Sequence, residues 1–145
     1  MTFEKQIEVR WADADANRHV KHSTYYDYGA FIRFRMFVDI GFDSKAFAKL
    51  RIGPILFKEE CTFIREIMAE ETIRINMLNG GVSADGRKFT IHHEIFKSSG
   101  EKAAHISVRG AWMDLEKRKL TIPPKELMDS LNNLPLGEDY IYSKS

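Results

Sequence analysis

Hydrophobic and polar residues alternate along the first segment of the chain. In FEKQIEVRW, residues 3–11, the side chains of Ile7, Val9 and Trp11 alternate with polar or charged ones. An apolar side chain at every second position is typical of a β-strand with one face against the core. The pattern therefore predicts a half-buried strand with Trp11 on its apolar face, followed by a polar loop over residues 12–21.

A helical pattern follows this loop. Ser23 or Thr24 can cap a helix that runs through YYDYGAFIRFRMFVDI and ends at Gly41. Apolar residues cover most of its circumference, and residues such as Arg33 and Arg35 leave only a narrow polar edge. A helix of this kind is expected to be enclosed by other elements. Its apolar stripe consists of Tyr25, Tyr28, Ile32 and Met36, widened by Phe31, Phe34, Phe37 and Val38.

The second half of the chain has the pattern of strands. A Gly-Pro break at residues 53–54 precedes an irregular strand over 55–65, and a regular strand is predicted over 71–78. SADG and SSG then give turns before RKFTIHHEIFK and KAAHISVRGAWMD. A weaker helix is predicted over residues 125–133. One face of the last strand carries Ala104, Ile106, Val108, Gly110 and Trp112.

The order of these elements predicts the fold class. One strand, one long helix, a short helix over residues 43–50 and about four strands joined by short turns favour an antiparallel sheet. A doubly wound parallel sheet would need a repeated alternation of strand and helix. The 145 residues have the length of a single α+β domain, in which a curved sheet and an apolar helix bury each other's faces.

Composition and charge exclude several functions. Apolar residues make up 43% and charged residues 30% of the chain, as in ordinary globular proteins. The net charge of +1 gives no reason to expect a nucleic acid or a membrane surface as partner, and no apolar run is long enough to span a bilayer. The single cysteine, Cys61, cannot form an intrachain disulfide, so the cytoplasm is the expected location.

The loop before the long helix contains the most conspicuous candidate chemistry. Asp13 and Asp15 lie two residues apart, close to a helix start whose backbone N–H groups have no partner within the helix. Such N–H groups can stabilise an oxyanion on a carbonyl, and a nearby carboxylate can activate water or attack the carbonyl carbon. The alternative is that both aspartates are turn or capping residues, and the spacing alone favours this alternative.

A resemblance to a known family changes this balance. VRWADADANRHVKHSTYYDY resembles the signature of hotdog-fold acyl-CoA thioesterases of the 4-hydroxybenzoyl-CoA thioesterase-like branch: a strand, D-x-D, H-V-N-N and a helix with an aromatic residue. Gly53-Pro54-Ile55 resembles the start of the second strand in that family. The resemblance implies one hotdog domain over residues 1–145, with an antiparallel β-sheet wrapped around one long central α-helix. It also implies hydrolysis of an acyl-CoA or acyl-carrier thioester by a homodimer or homotetramer whose active sites lie at the subunit interface.

The resemblance assigns catalytic roles to two residues of the loop. Asp15 matches the catalytic aspartate, as base or nucleophile, and Asp13 matches the less constant first acid. His22 falls where the family uses a backbone N–H to polarise the thioester carbonyl. The chain departs from the family pattern at Lys21-His22, which replaces the frequent Asn-Asn, and at Ala12, where glycine is frequent. Neither departure removes the acid or the helix start.

Substrate contacts are implied for residues on either side of the helix start. Tyr25 matches an aromatic residue near the acyl pocket, and Tyr28 and Phe31 could line the same pocket from the helix. His19 stands at the H-V position of the signature. It could orient Asp15, line the pocket or merely hold the loop by hydrogen bonds.

Other polar residues have simpler interpretations. His93 and His105 would lie nearly opposite each other if KSSGE closes a hairpin, with His92 beside them, but two histidines are too few for a zinc site. We therefore expect no metal, and the implied chemistry needs no redox cofactor. Cys61 has no paired base and is expected to be a buried or half-buried strand residue. The candidate contacts to CoA phosphates are Lys58, Arg65, Arg74, Arg87, Lys88 and Arg109.

The sequence is also compatible with two other functions. A hotdog hydratase or dehydratase would pair a histidine with a carboxylate, but no helix motif of that kind is evident. A non-catalytic protein that binds acyl thioesters would bind the same ligands without turnover, because a fold does not determine a function.

Overall fold

The computed structural model describes residues 3–137, which contain six strands and three α-helices. The elements in chain order are β1 (Phe3–Glu8), a 3-10 turn (Trp11–Asp13), α1 (Thr24–Asp39), α2 (Ser44–Leu50), β2 (Ile52–Phe63), β3 (Thr72–Val82), β4 (Lys88–Phe96), β5 (Lys102–Asp114), β6 (Lys119–Leu120) and α3 (Lys125–Asn132).

Five antiparallel strands form a sheet in the order β1-β3-β4-β5-β2, and the short β6 pairs with one end of β5. The sheet packs against α1, whose Tyr25, Tyr28, Ile32 and Met36 are all buried, as the sequence predicts. The chain therefore has the α+β hotdog architecture, a curled sheet around one central helix. Helix α3 packs against β3 and buries Leu127 and Leu131.

The polar edge predicted for α1 is wrong in part. Arg33 is buried, whereas Phe31 and Phe34 are 43% and 50% exposed. The guanidinium group of Arg33 can be buried because Nη1 lies 2.9 Å from Nε2 of His93 on β4. Helix α1 thus has an internal polar contact and, in the single chain, an exposed apolar side.

The ends of α1 follow two different rules. The helix ends as predicted: Gly41 adopts a φ of 92°, its N–H donates to Val38, and the Phe42 N–H donates to Phe37. These two bonds are those of a Schellman motif, in which glycine is favoured because the position requires a positive φ. At the other end, Ser23 occupies the capping position but forms no side-chain capping bond. The position of the cap is therefore predicted correctly, whereas the expected hydrogen bond from its side chain is not formed.

The first strand is shorter than its alternating pattern predicts. β1 ends at Glu8, and the chain turns at Trp11–Asp13, because the Asp13 N–H donates to the Arg10 carbonyl and the Asp13 carboxylate accepts from the Arg10 N–H. This turn directs the Trp11 side chain outward, where it is 91% exposed. The prediction that Trp11 lies on the apolar face of the strand is wrong.

The Gly-Pro pair belongs to β2 and does not precede it. Pro54 pairs with Trp112 of β5, and β2 is an edge strand of the described sheet, where the missing N–H of proline breaks no second ladder. Phe57 is the extra residue of a β-bulge, because Leu56 pairs with Gly110 and Lys58 with Arg109. This bulge explains the imperfect alternation of the sequence here.

The hairpins of the second half are confirmed. β5 has the predicted bounds, and its predicted inward face from Ala104 to Trp112 is buried. The pairing of the histidines differs by one residue: His93 lies opposite Ile106, and His105 lies opposite Glu94. A bulge after Ile95 causes this shift, so His105 contacts His92 at 3.3 Å between ring nitrogens, whereas His93 faces α1.

Within residues 3–137 no helix is long and apolar enough to cross a membrane.

Candidate active site

Asp13 and Asp15 have opposite environments in the loop between β1 and α1. Asp13 is buried, and its carboxylate accepts hydrogen bonds from the backbone N–H, Nε and Nη2 of Arg10 at 3.1, 3.1 and 2.7 Å. It also accepts a bond of 2.9 Å from the hydroxyl of Tyr28. Burial raises the pKa of Asp13, but the bonds from Arg10 and Tyr28 outweigh it, and the net pKa lies below the ordinary value. Asp13 therefore holds the loop to α1 as an ionised carboxylate.

Asp15 is exposed and is oriented by backbone groups alone. Its Oδ1 accepts from the N–H groups of Asn17 and His19 at 2.8 and 3.2 Å. Within the described residues its second oxygen, Oδ2, accepts no hydrogen bond. One oxygen thus fixes the orientation of the carboxylate, and the other remains available to water or a substrate.

The turn that carries Asp15 is anchored on both sides. The Asp15 N–H donates to His19, and the Arg18 N–H donates to Asp15, which closes a tight turn with Arg18 at a φ of 64°. Two further backbone bonds, Val20 to Ile67 and Ala69 to Arg18, attach this turn to the segment before β3. A side chain on such a turn is held in place by the scaffold, as a reactive group requires.

Helix α1 begins beside this turn. The Lys21 N–H donates to Asp13 and the Thr24 N–H donates to Lys21, whereas the His22 N–H donates to no other group of residues 3–137. His22 directly precedes Ser23, the N-cap of α1, and the first N–H groups of a helix give its start a partial positive charge. The His22 N–H is therefore a donor that remains available to a carbonyl oxygen.

A cleft of about 370 Å³ brings these groups together. Tyr25 is buried at its side and meets the ring of Phe63 edge to face, with centroids 4.9 Å apart. Burial raises the pKa of Tyr25 to about 12, so its hydroxyl is neutral at physiological pH. The cleft thus has one polar end and an apolar aromatic side. Its lining consists of Asp15, His19, Val20, His22, Tyr25, Phe63, Ile64, Arg65 and Glu66.

His19 contributes to the cleft through two different groups. Its backbone bonds to Asp15, and its imidazole Nε2 lies 3.1 Å from Oε2 of Glu66. The backbone of His19 therefore holds the turn that carries Asp15, and the ring borders the cleft, while its role in the reaction stays a prediction. Tyr28 does not line this cleft, because its hydroxyl bonds to Asp13, and Phe31 is exposed on the outer side of α1.

The family model of the thioesterase-like superfamily matches residues 9–131 of the chain. The chain belongs to the thioesterase-like superfamily. The resemblance seen in VRWADADANRHVKHSTYYDY is thereby confirmed. No sequence match to a curated protein accompanies it.

Solved structures similar to this thioesterase-like chain have the same fold at low sequence identity. A Staphylococcus aureus protein, solved in complex with CoA, is 15% identical with a TM-score of 0.85 over 100% of this chain and 95% of its own. A 1,4-dihydroxy-2-naphthoyl-CoA thioesterase from Synechocystis is 16% identical, with a TM-score of 0.82 over 92% and 98%. A DHNA-CoA thioesterase from Staphylococcus aureus is 17% identical, with a TM-score of 0.80 over 90% and 89%.

Several cleft residues of this thioesterase-like chain could not be selected from the sequence. Phe63, Ile64 and Glu66 lie at and after the end of β2, far from the motif in sequence, and reach the cleft only through the sheet. No periodicity distinguishes them from other strand residues.

Among residues 3–137 no three His, Cys, Asp or Glu side chains form a metal-ligand group. Burial raises the pKa of the half-buried Cys61 thiol to about 11, which makes it a poor nucleophile.

Proposed function

We propose that this chain hydrolyses an acyl-CoA to a free acid and coenzyme A, with Asp15 as the catalytic carboxylate. One observation carries the proposal: of the two aspartates in the loop, only Asp15 is exposed to the cleft, with its Oδ2 open beside the helix start at His22. A carboxylate and a helix N-terminal donor in one cleft are the two groups that thioester hydrolysis needs.

The chemistry follows from these two groups. As a general base, Asp15 takes a proton from water while the water oxygen bonds to the thioester carbon. As a nucleophile, it bonds to that carbon itself and water then hydrolyses the resulting anhydride. In both routes the carbonyl oxygen becomes an oxyanion, which the N–H of His22 and the dipole of α1 stabilise. The C–S bond then breaks, and coenzyme A leaves as the thiolate.

Coenzyme A is the proposed carrier of the acyl group. The similar structures include a CoA complex and thioesterases that act on aromatic CoA thioesters, and the Tyr25–Phe63 side of the cleft is suited to an apolar or aromatic acyl group. An acyl-carrier protein thioester offers the same reacting atoms and is the alternative substrate. We retain the cytoplasm as the location of this activity, with no metal or redox cofactor needed by either route.

We also propose that two copies associate through β2. β2 is an edge strand of twelve residues, and an edge strand presents backbone groups that can pair with a second chain. Leu56, Phe57 and Phe63 on β2, with Phe34 on α1, expose apolar surface along this side. Antiparallel pairing of β2 with its copy would cover that surface and continue the sheet, so a homodimer is the expected assembly.

Light scattering after size-exclusion chromatography tests this assembly. The proposal requires twice the chain mass of 16.8 kDa for the wild type and a smaller mass for Phe57→Lys. Ile122→Lys is the matched control, because Ile122 is also an exposed apolar residue but follows β6 and does not belong to β2. A monomeric wild type at micromolar concentration would refute the dimer.

The activity is tested by thiol release from short-chain, medium-chain, long-chain and aromatic acyl-CoAs. Wild type and Asp15→Asn are compared, and the single free thiol, Cys61, is subtracted with an enzyme-only blank. Release by the wild type that is lost in Asp15→Asn supports the proposal and ranks the acyl groups. A folded wild type that binds acyl-CoA and releases no thiol would instead identify a non-catalytic binding protein.

A further inference from the structure

Asp15 also borders a second cleft, of about 590 Å³. The linings of the two clefts share Asp15 and no other residue. The first cleft has an aromatic side, whereas small side chains and two cations predominate in the second. The lining of the second cleft consists of Trp11, Ala12, Ala14, Asp15, Ala16, Arg18, Lys21, Ala69 and Glu70.

Trp11 lines this second cleft and is hardly packed against the other described residues. Its side chain is 91% exposed, although the other tryptophan of the chain, Trp112, is fully buried. The 3-10 turn that begins at Trp11 holds it in this position through bonds between Arg10 and Asp13. A large exposed aromatic ring on an ordered turn is a suitable platform for a stacked base.

The two cationic side chains of the cleft belong to Arg18, in the turn that carries Asp15, and to Lys21, just before α1. The backbone of Arg18 is fixed in the left-handed region by its bonds to Asp15 and Ala69, and its guanidinium forms no ion pair with any group of residues 3–137. The ammonium group of Lys21 donates to the Ala12 carbonyl at 3.0 Å. Guanidinium and ammonium groups are the usual partners of phosphates in proteins.

We infer that the second cleft holds the coenzyme A arm of the substrate, while the first cleft holds the acyl group. This inference rests on the proposed thioesterase activity. The alanine walls leave room for the slender pantetheine chain, Arg18 and Lys21 meet the phosphates, and the indole of Trp11 stacks with the adenine. A thioester has two arms that diverge from one carbonyl, and Asp15 is the group at which the two clefts meet.

Thioesters with a shortened coenzyme A arm test the contacts to the adenine and to the phosphates one at a time. We compare kcat/KM for one acyl group carried by CoA, by 4′-phosphopantetheine and by N-acetylcysteamine. Trp11→Ala should lower kcat/KM about 5- to 100-fold for the CoA thioester only, because only that substrate has an adenine. Arg18→Asn should lower kcat/KM for both phosphate-bearing substrates roughly tenfold relative to kcat/KM for the N-acetylcysteamine thioester.

A substitution of Glu70 should strengthen the binding of coenzyme A, whereas the substitutions of Trp11 and Arg18 should weaken it. Glu70 is the other carboxylate of the second lining, so Glu70→Gln removes a repulsion and should lower KM for the CoA thioester relative to KM for the N-acetylcysteamine thioester. Arg118→Asn is the matched control for Arg18→Asn. Arg118 is also exposed with a positive φ of 56°, but it lies in the turn between β5 and β6, so its substitution should change none of the three rates.

Binding of coenzyme A gives a readout that does not depend on turnover. Because Trp112 is buried, coenzyme A should quench the emission of the exposed Trp11 in the wild type and leave Trp11→Phe unquenched. Failure of the wild type to cleave any thioester, with quenching intact, would count against the proposed activity and support the site. The inference would be overturned if Trp11→Ala and Arg18→Asn reduced the cleavage of all three substrates equally. It would also be overturned if coenzyme A did not quench the wild type.

Discussion

The Nη1 atom of Arg33 on α1 lies 2.9 Å from Nε2 of His93 on β4, in the interior of the protein. His93 Nδ1 lies 2.8 Å from the Asn76 carbonyl oxygen, which can only accept, so Nδ1 carries the proton and Nε2 accepts from Arg33. Burial, followed by the charge of Arg33, lowers the pKa of His93 to about 3. A neutral imidazole thus satisfies a buried cation between the central helix and the sheet.

This pair predicts a loss of stability in mild acid. Below the ordinary histidine pKa of about 6.5 the unfolded chain binds a proton at His93, and the native protein does so only near pH 3. The free energy of unfolding should therefore fall as the pH falls through this window, by at most about 1.4 kcal/mol per pH unit from this residue. Urea unfolding at several pH values between 4.5 and 7 measures the slope.

His93→Gln is the informative variant for that slope. A glutamine amide can donate to the Asn76 carbonyl and accept from Arg33, but it does not titrate. The variant should show a shallower pH dependence than the wild type between pH 4.5 and 6.5. Equal slopes in the two proteins would show that other groups cause the acid sensitivity.

Asp13 and Asp15 should respond differently to the same substitution. Asp13→Asn weakens charge-assisted bonds from Arg10 and should lower the free energy of unfolding by about 1–3 kcal/mol. Asp15→Asn retains an oxygen that accepts from Asn17 and His19, so its stability should change by less than about 0.5 kcal/mol while kcat falls roughly 100- to 10,000-fold. Thermal melts and thiol-release assays of both variants separate the two effects, and a large loss of stability in Asp15→Asn would contradict the assignment.

Substitutions of the two tyrosines at the start of α1 should affect different properties, acyl preference for Tyr25 and stability for Tyr28. Tyr25→Ala removes the ring that packs on Phe63 and should shift the preferred acyl group toward a bulkier one. Tyr28→Phe removes only the hydroxyl that bonds to Asp13 and should cost about 1 kcal/mol of stability with the acyl preference unchanged. Relative kcat/KM values across the acyl-CoA panel check both predictions. A changed preference in Tyr28→Phe would support the pocket-lining role expected for Tyr28 from its place on the helix.

Gly110 predicts a severe packing defect. A Cβ atom at this position would lie 2.3 Å from the Ile55 carbonyl oxygen and 2.7 Å from the ring of Phe89. Because the nearest atom belongs to the backbone of β2, Gly110→Ala must separate β2 from β5 and should cost more than about 3 kcal/mol. Gly100→Ala is the control: its Cβ meets no atom within 4 Å, and only the positive φ of 91° costs about 1 kcal/mol. Similar midpoints of urea unfolding for the two variants would contradict this account.

Much of the fold could be predicted because local signals agreed with the tertiary structure. The bounds of β5, the end of α1 at Gly41 and the helix at Ser44–Leu50 each follow from periodicity or a turn residue. The errors arose where one hydrogen bond or one inserted residue decided the outcome. The bonds between Arg10 and Asp13 end β1 before the alternating pattern ends. The bulge after Ile95 shifts the register by one residue, so that His93 pairs with Ile106 and not with His105.

The candidate site was only partly accessible to sequence reasoning. The motif indicated Asp15, His19, His22 and Tyr25, and the structure brings all four to one cleft, although their roles stay predictions. Apart from Val20, the remainder of the cleft comes from Phe63 to Glu66, whose approach depends on the path of the sheet. The same limit applies to Trp11, because its exposure results from a turn that the alternating pattern conceals.

The position of Asp15 between two clefts has a consequence for the departure of the products. Once the C–S bond is broken, the carboxylic acid and the thiol lie on different sides of one side chain, and neither blocks the exit of the other. We therefore expect random release, with both products able to occupy the protein together. The free acid and coenzyme A should then inhibit turnover independently, each without displacing the other.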